Sequence, residues 1–357
     1  MNDLMMDARR VWLTVFVTLS ALVSAQDVQF SQFYTVALYQ NPAFAGSAHF
    51  HRGLVHNRIQ WPNLDGKYTT YFASYDGYSR RYKSGFGAYV MQDYMGSNNI
   101  STSELHLVYS YEVEINNKWT FRPGLQAGLG QRYLDYSRLR FPQNYDDNGF
   151  VPGSGSPQIN SFIFYPDVSS GFLLYNDNLW FGYSSHHLNR PNLSMLNNIE
   201  RLPIKHALTA GYKIMLHQKT TLNYATSDQV EVSITPTIHY KFQGKADQTD
   251  IGLYGIYDWF LFGIWYRGIP FKTYEKISYV NNESMIAQVG FRWDRWTFNY
   301  SYDFTVSKLG GPRQTGGSHE MNITYVMLPI KKPQKPTKRL PCPNFQKDII
   351  LEDMRHW

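Results

Sequence analysis

From Trp296 to Thr305 large aromatic side chains alternate with small polar ones: Trp296, Phe298, Tyr300, Tyr302 and Phe304 on one side, Thr297, Asn299, Ser301, Asp303 and Thr305 on the other. A period of two is the signature of a strand with one apolar and one wet face. The preceding segment repeats it, with Met285, Ala287, Val289, Phe291 and Trp293 against Ser284, Gln288, Gly290, Arg292 and Asp294. Only Asp294-Arg295 separates the two, so they form a hairpin. Leu105 to Ile115 and Leu208 to Leu216 alternate in the same way, and no long amphipathic helix interrupts them. The chain is all-β.

Fourteen such segments are read, near 52–61, 67–78, 84–94, 103–115, 118–131, 166–176, 179–187, 204–216, 229–242, 249–258, 259–268, 284–294, 296–305 and 318–328. Joints after segments 4, 6, 8, 10 and 12 are mostly tight, with residues 217–228 after segment 8 open to either extra strand or loop. Those after segments 3, 5, 7, 11 and 13 are longer, with about 34 residues from 132 to 165. An even strand count, with short turns at one end and long loops at the other, is the habit of outer-membrane barrels. A secreted sandwich or propeller also alternates. Its core, however, would have to bury the Glu, Arg, Lys and Asp of the polar faces without partners. The fold expected is therefore a transmembrane antiparallel up-and-down β-barrel of about fourteen strands over residues 52–328.

Composition agrees. Aromatic residues reach 17% and charged residues only 17%, against about 25% charged in soluble domains. Hydrophobic residues at 43% exclude disorder, and a single cysteine, Cys342, excludes a disulfide scaffold. Beyond the N-terminus there is no apolar run long enough for a membrane helix. At the N-terminus, Arg9-Arg10, an apolar run from Val11 to Val23 and Val23-Ser24-Ala25 describe a secretory signal over residues 1–25. The expected location is the outer membrane of a diderm bacterium.

Two segments flank the barrel. Residues 26–51 intersperse Phe30, Phe33 and Tyr34 with Gln and Ser, then place Asn41-Pro42 before the first strand. This segment is read as periplasmic or plug-like, forming a plug, a partner surface, or a closure of the barrel bottom. Residues 329–357 are Pro-rich and basic, seven Lys/Arg against three Asp/Glu, and carry +4 of the net +6. Such a tail is extended rather than laddered. Lys331, Lys332, Lys335, Lys338 and Arg339 are candidates for docking a periplasmic partner, the alternative being a solvated extension. In the long loop, Phe141 and Phe150 are apolar in polar surroundings and are candidates for a contact patch or a fold-back into the mouth.

No catalytic or cofactor motif is found. Gly153-Ser154-Gly155-Ser156 lacks the Lys-Ser/Thr ending of a phosphate loop. His186-His187 lacks the further ligands a zinc site needs, and Asp146-Asp147-Asn148-Gly149 lacks the order of a calcium loop. No Gly-x-Ser-x-Gly elbow occurs, and the basic residues show no aromatic interleaving of the kind nucleic acid requires. The protein is read as non-enzymatic, with no cofactor, no metal and no nucleic-acid partner. A passive channel for small solutes, lined by Glu104, Glu112, Glu114, Lys205 and Lys213, stands as the alternative.

The mature start, Gln26-Asp27-Val28-Gln29-Phe30-Ser31-Gln32-Phe33-Tyr34, followed by Asn41-Pro42-Ala43-Phe44-Ala45-Gly46-Ser47, resembles the opening of the PorP/SprF family. The resemblance continues through Ser185-His186-His187-Leu188-Asn189, Arg201-Leu202-Pro203, His206 and Gly211-Tyr212-Lys213. It ends with Tyr300-Ser301-Tyr302-Asp303-Phe304 and Gly317-Ser318-His319-Glu320. It implies an outer-membrane component of the type IX secretion system of Bacteroidota, assisting export or surface attachment of specific secreted proteins. The cargo implied includes gliding adhesins with type B C-terminal sorting domains. The partners implied are the periplasmic ring and peptidoglycan-binding components of the machinery.

Overall fold

The computed structural model describes residues 27–96, 100–135, 145–146, 149–150, 161–195, 198–220, 229–273, 280–307 and 312–327. Fourteen antiparallel strands close into one barrel. In chain order, β1 is His51–Gln60, β2 Tyr68–Ser79 and β3 Ser84–Met95. Strand β4 is Ile100–Tyr111 and resumes past Glu112 as Val113–Glu114, both parts pairing with β5, Thr120–Leu134. Strand β6 is Phe162–Tyr175 and β7 Leu179–His186. Strand β8 is Lys205–Tyr212, continued beyond Lys213 as Ile214–Thr220, with both parts on β9, Gln229–Gln243. Strands β10 Ala246–Tyr257, β11 Phe260–Thr273, β12 Val280–Trp293, β13 Trp296–Thr305 and β14 Ser318–Met327 complete the wall. Strand β1 then pairs with β14 along its whole length, from His51↔Met327 to Gln60↔Ser318. Closure leaves no open edge in the barrel wall among the described residues.

The alternation read from the sequence decides which side chain faces which solvent. On β13 the aromatic positions point outward, while Thr297, Asn299, Ser301, Asp303 and Thr305 are buried in the interior. On β12 Met285, Val289, Phe291 and Trp293 are exposed, and Ser284, Gln288 and Arg292 are buried. Lipid takes the place of water on the outer face, so these exposed apolar side chains are in their preferred surroundings.

Most expected connections hold, with two differences. The joint after β3 is only residues 96–99, and β9 turns into β10 through Gly244-Lys245 alone, Gly244 having φ 59°. Tight hairpins therefore occur at both ends. Strands β6 and β12 also begin about four residues earlier than the alternation suggests, at Phe162 and Val280. The early residues of β12, Asn281, Asn282 and Glu283, are polar, whereas those of β6 include Phe162 and Phe164, exposed at alternate positions and continuing the outward apolar face. The end carrying the connections 135–161, 187–204 and 306–317 is the outer one by the barrel rule, and both β1 and β14 meet the periplasmic end.

Inside the barrel lies the chain's own N-terminal segment. Residues 27–50 run down the lumen from the outer mouth to the start of β1, with one short helix, Ala37–Gln40, and a 3₁₀ turn, Pro42–Phe44. The helix is too short to persist alone. It is held because Ala37 and Leu38 are buried against the wall. Asn41 caps the turn, its side-chain oxygen accepting from Ala43 N at 2.9 Å, and Pro42 sits at the first helical position.

Candidate functional site: the plugged lumen and its outer mouth

The wall that surrounds this segment is not uniformly polar. At inward positions where alternation calls for polar residues, several strands carry large apolar ones. Leu54, Phe72, Tyr89, Met91 and Val108 surround Phe30, Val36 and Leu38. Tyr254, Ile256, Leu261, Trp265 and Ile286 receive Phe33 and Tyr34. Leu173, Tyr175 and Trp180 enclose Ala37, Ala43 and Phe44. Phe33 stacks on His239 at 4.8 Å and meets the edge of Trp265 at 5.0 Å. Each buried aromatic of this kind contributes about 1.5–3 kcal/mol of burial. These wall residues carry no motif, but they had a signal: Ile286, between Met285 and Ala287, breaks the polar phase of its strand.

Between the apolar sockets lie three ionic clusters. The middle one joins the first and last strands. Arg58 pairs with Asp303 at 3.1 Å and with Glu320, and Arg267 pairs with Asp250 at 2.7 Å and Asp303 at 3.4 Å. The Glu320 carboxylate accepts from two successive plug amides, Ser31 N at 2.6 Å and Gln32 N at 2.8 Å. The Ser31 hydroxyl donates to Asp303 at 2.5 Å. Charges this deep are tolerable only when paired and hydrogen-bonded.

The lower cluster holds the segment where it turns into β1. Arg122 donates to Glu112 at 2.8 Å and to the Ala45 carbonyl at 2.6 Å. Ser110 donates to the same carbonyl at 2.8 Å, and Gly46 N donates to Asp76 at 2.9 Å. The backbone passes so close to the wall that glycine is required there. A Cβ on Gly85 would lie 1.9 Å from the Ala45 oxygen, and one on Gly124 2.3 Å from Ala43 N.

The upper cluster fixes the segment at the outer mouth. Asp27 meets His187 Nε2 at 2.8 Å and Lys205 Nζ at 2.7 Å, and His187 Nδ1 meets Asp167 at 2.8 Å. With a carboxylate on each ring nitrogen, His187 is held as the imidazolium. Burial works against that charge, but Asp27 and Asp167 outweigh it and push the His187 pKa up to about 10. Burial likewise opposes the Asp27 charge. His187 and Lys205 overcome it and hold the carboxyl well below its ordinary value. His187 adopts φ 59°, a left-handed conformation unusual for a residue with a side chain, at the point where β7 breaks into the outer loop.

The residues singled out in the sequence are thus distributed as follows. Phe30, Phe33, Tyr34, Asn41 and Pro42 come together inside the lumen, all buried. Asn41 Nδ2 donates to the Phe172 and Tyr183 carbonyls at 3.1 and 3.0 Å. Phe150 falls in a two-residue ladder that pairs Tyr145 with Phe150. Phe141, Lys331, Lys332, Lys335, Lys338, Arg339 and the signal segment lie outside the described residues. Of the residues assigned to a solute path, Glu112 is paired with Arg122, Lys205 with Asp27 and Lys213 with Glu231. Glu104 accepts from Tyr165 at 3.0 Å. Glu114 is not in the lumen: it is 61% exposed at the periplasmic end beside Lys83, because β4 runs out at that point. Among the described residues, no group of three or more His, Cys, Asp or Glu side chains is placed to hold a metal ion.

Among its described residues, the outer loop after β7 makes hydrogen bonds of its own. Asn192 and Arg201 form an antiparallel bridge, and Leu193 N donates to the Glu200 carbonyl at 3.0 Å. Asn192 Oδ1 accepts from Glu200 N at 2.8 Å. Ile199 is 80% exposed on this hairpin, and Leu188 at its root is exposed as well. Both lie on a loop beyond the lipid-facing wall.

A closed fourteen-strand barrel, aromatic outside and filled by its own N-terminal segment, defines an outer-membrane β-barrel protein. Residues 22–325 match the family described as type IX secretion system membrane protein PorP/SprF, and the chain belongs to that family. The resemblance seen in the sequence is therefore confirmed, as is the outer-membrane location that fold and family imply together. No curated protein matches the chain. Solved structures are similar at low identity. The Pseudomonas putida toluene transporter TodX is similar at 10% identity and TM-score 0.41, over 85% of this chain and 94% of that one. The Acinetobacter baumannii outer membrane protein Omp33 is similar at 5% and 0.42, over 78% and 99%. A Pseudomonas aeruginosa FadL homologue is similar at 12% and 0.39, over 81% and 93%. None of these likenesses bears on function.

Proposed function

We propose that the protein acts in type IX secretion as a non-enzymatic accessory barrel, working by protein–protein contact at its two faces. The observation that carries this reading is the filled lumen. Residues 27–50 occupy it from mouth to base, and among the described residues the gaps beside the plug include cavities of about 180, 50 and 30 Å³. A passive solute channel is disfavoured by the same packing. The outer face offers the loop that carries Leu188 and Ile199, both exposed, and these are proposed to take part in a protein contact. Phe141 and Phe150 belong to the neighbouring long loop and are proposed to extend that face. The cargo is proposed to be a secreted surface protein, such as a gliding adhesin with a type B C-terminal sorting domain.

At the periplasmic face the basic tail, with Lys331, Lys332, Lys335, Lys338 and Arg339, is proposed to dock the periplasmic ring and peptidoglycan-binding components. The plug residues Phe30, Phe33, Tyr34, Asn41 and Pro42 would then serve these contacts indirectly, by keeping the barrel rigid and sealed.

The test is recovery of partners from the native outer membrane in mild detergent, with and without crosslinking, for the wild-type chain, Ile199→Asp/Leu188→Asp, and a chain truncated after Met327. Loss of an exported protein from the hairpin variant alone, and of ring proteins from the truncation alone, supports the two-faced reading. A barrel that purifies alone even after crosslinking overturns it.

A further inference from the structure

Outward side chains on β1 to β6 form rows across the wall, and one row departs from the lipid-facing pattern. Strand pairing sets Asn57, Tyr71, Gln92, Ser103, Gln131 and Phe164 side by side, each the register partner of the next. The four polar members each stand three residues inside the outer end of their strand, about 10 Å along it. At the same depth β9, β13 and β14 carry Tyr240, Tyr302 and Met321. Two residues further out on β3 and β5 are Tyr94 and Tyr133, rings at the level where an aromatic girdle meets the lipid headgroups. The amide row therefore lies just beneath that girdle, on the lipid side of the wall.

Amides at this depth are costly unless they are bonded. The wall satisfies only part of the row. Ser103 Oγ donates to Gln92 Oε1, and Asn57 Nδ2 donates to the Thr70 carbonyl at 3.2 Å. Among the described residues, the Gln131 amide, Gln92 Nε2 and Asn57 Oδ1 have no hydrogen-bond partner. Directly below them the outer surface holds a groove of about 520 Å³. Its floor is Ala73, paired with Val55 and Val90 across the sheet and set between Tyr71 and Tyr75 along its own strand. A methyl group among four large side chains leaves a dent, and Leu105 and Leu129 continue its apolar wall. Tyr71 and Tyr94 meet edge to face at 6.5 Å on one flank, Phe162 and Phe164 at 5.8 Å on the other.

From this juxtaposition of unbonded amides and apolar groove we infer that the outer half of the β1–β6 wall binds an outer-leaflet glycolipid with an uncharged sugar headgroup. An acyl chain fills the groove over Ala73. Sugar hydroxyls donate to Asn57 Oδ1 and to the Gln131 amide oxygen, and accept from Gln92 Nε2. The headgroup is neutral because the row, and the rows directly above and below it on these strands, contain no charged residue. A phosphate would call for arginine or lysine there. The exposed rings of Tyr71 and Phe164 offer faces on which the C–H edges of a sugar can rest. This site is independent of the protein contacts proposed for the two ends of the barrel.

The probe is monoglucosyl diacylglycerol, added to the full-length protein in a zwitterionic detergent that carries no sugar, with retained lipid counted by native mass spectrometry. Phosphatidylglycerol with the same acyl chains is the comparison. Wild type is expected to hold the glycolipid roughly tenfold more tightly than phosphatidylglycerol. Gln92→Leu/Gln131→Leu, which removes the amides, and Ala73→Phe, which fills the groove, are each expected to lose roughly tenfold of that affinity. Met321→Leu, at the same depth on β14, is expected to lose none. All these side chains face lipid, and heat-modifiable gel migration verifies that each barrel is closed. Should Ala73→Phe fail to close, Ala73→Leu serves. Equal retention of the two lipids, or equal glycolipid retention by wild type and the amide variant, means ordinary annular lipid and overturns the inference. So does recovery from the native membrane of a protein, in place of lipid, that the amide variant loses.

Discussion

Arg58 on the first strand and Asp303 on the thirteenth lie 3.1 Å apart on the lumen side of the closing seam, with the Ser31 hydroxyl of the plug 2.5 Å from the same carboxylate. Closure of the wall and seating of the plug therefore share one set of charges. Arg58→Met leaves Glu320 and Asp303 buried with fewer partners, and removing one member of a buried pair costs about 3–5 kcal/mol. The expected outcome is a lower unfolding midpoint in urea together with faster amide exchange at Ser31 and Gln32. Arg58→Met/Glu320→Leu, which removes both charges, is expected to recover part of the loss.

The plug is sealed by aromatic sockets. Phe33→Ala, at a site only 4% exposed against Trp265 and His239, is expected to cost about 3–5 kcal/mol. Planar-bilayer recordings are expected to show flickering conductance for Phe33→Ala and a quiet wild type. Phe291→Ala, on the lipid-facing wall and 46% exposed, is expected to stay quiet.

The upper cluster gives a pH dependence. The raised pKa of His187 means that its contribution is complete below the ordinary histidine value of about 6.5 and is lost as pH rises toward about 10. The depressed Asp27 contributes in full above about 3.8 and loses its contribution as pH falls through its lowered value. The difference in thermal midpoint between wild type and His187→Gln is therefore expected to be largest between about pH 4 and 6.5 and to shrink steadily toward pH 10. A difference that grows with pH would contradict the double carboxylate contact.

Gly124 sits where the plug turn touches the wall, and an added Cβ there would fall 2.3 Å from Ala43 N. Gly124→Val is expected to displace the turn Pro42–Phe44 while the barrel still closes. Limited proteolysis from the periplasmic side would then cut near Ala43–Gly46, a region that wild type protects. Gly53→Val, where an added Cβ meets nothing within 4 Å, is the control.

Strand number, closure, outward aromatics and membrane location were legible in the sequence because lipid outside and polar groups inside impose a period of two on every strand. Trp296 to Thr305 shows it without exception. Loop lengths were less legible: the turn at Gly244-Lys245 precedes a strand whose start, Ala246-Asp247-Gln248-Thr249, is too polar to show the alternation. Aromatic content drew notice to Phe30, Phe33 and Tyr34, and the Asn-Pro step before the first strand to Asn41 and Pro42. Trp265, Tyr254 and Ile286, the partners of Phe33 and Tyr34, went unnoticed, since each merely interrupts the polar phase of its own strand.

The amino-acid sequence by itself determined the barrel, since each strand's exposure to lipid is a local property written residue by residue. Only the tertiary structure decided what the barrel contains. Residues 27–50 have no periodicity of their own, and their path is set by Glu320, Arg267, Arg122 and Asp76, from strands up to 289 residues away in the chain. Those groups converge on one line through the lumen only after β1 has met β14, so no local pattern could encode it.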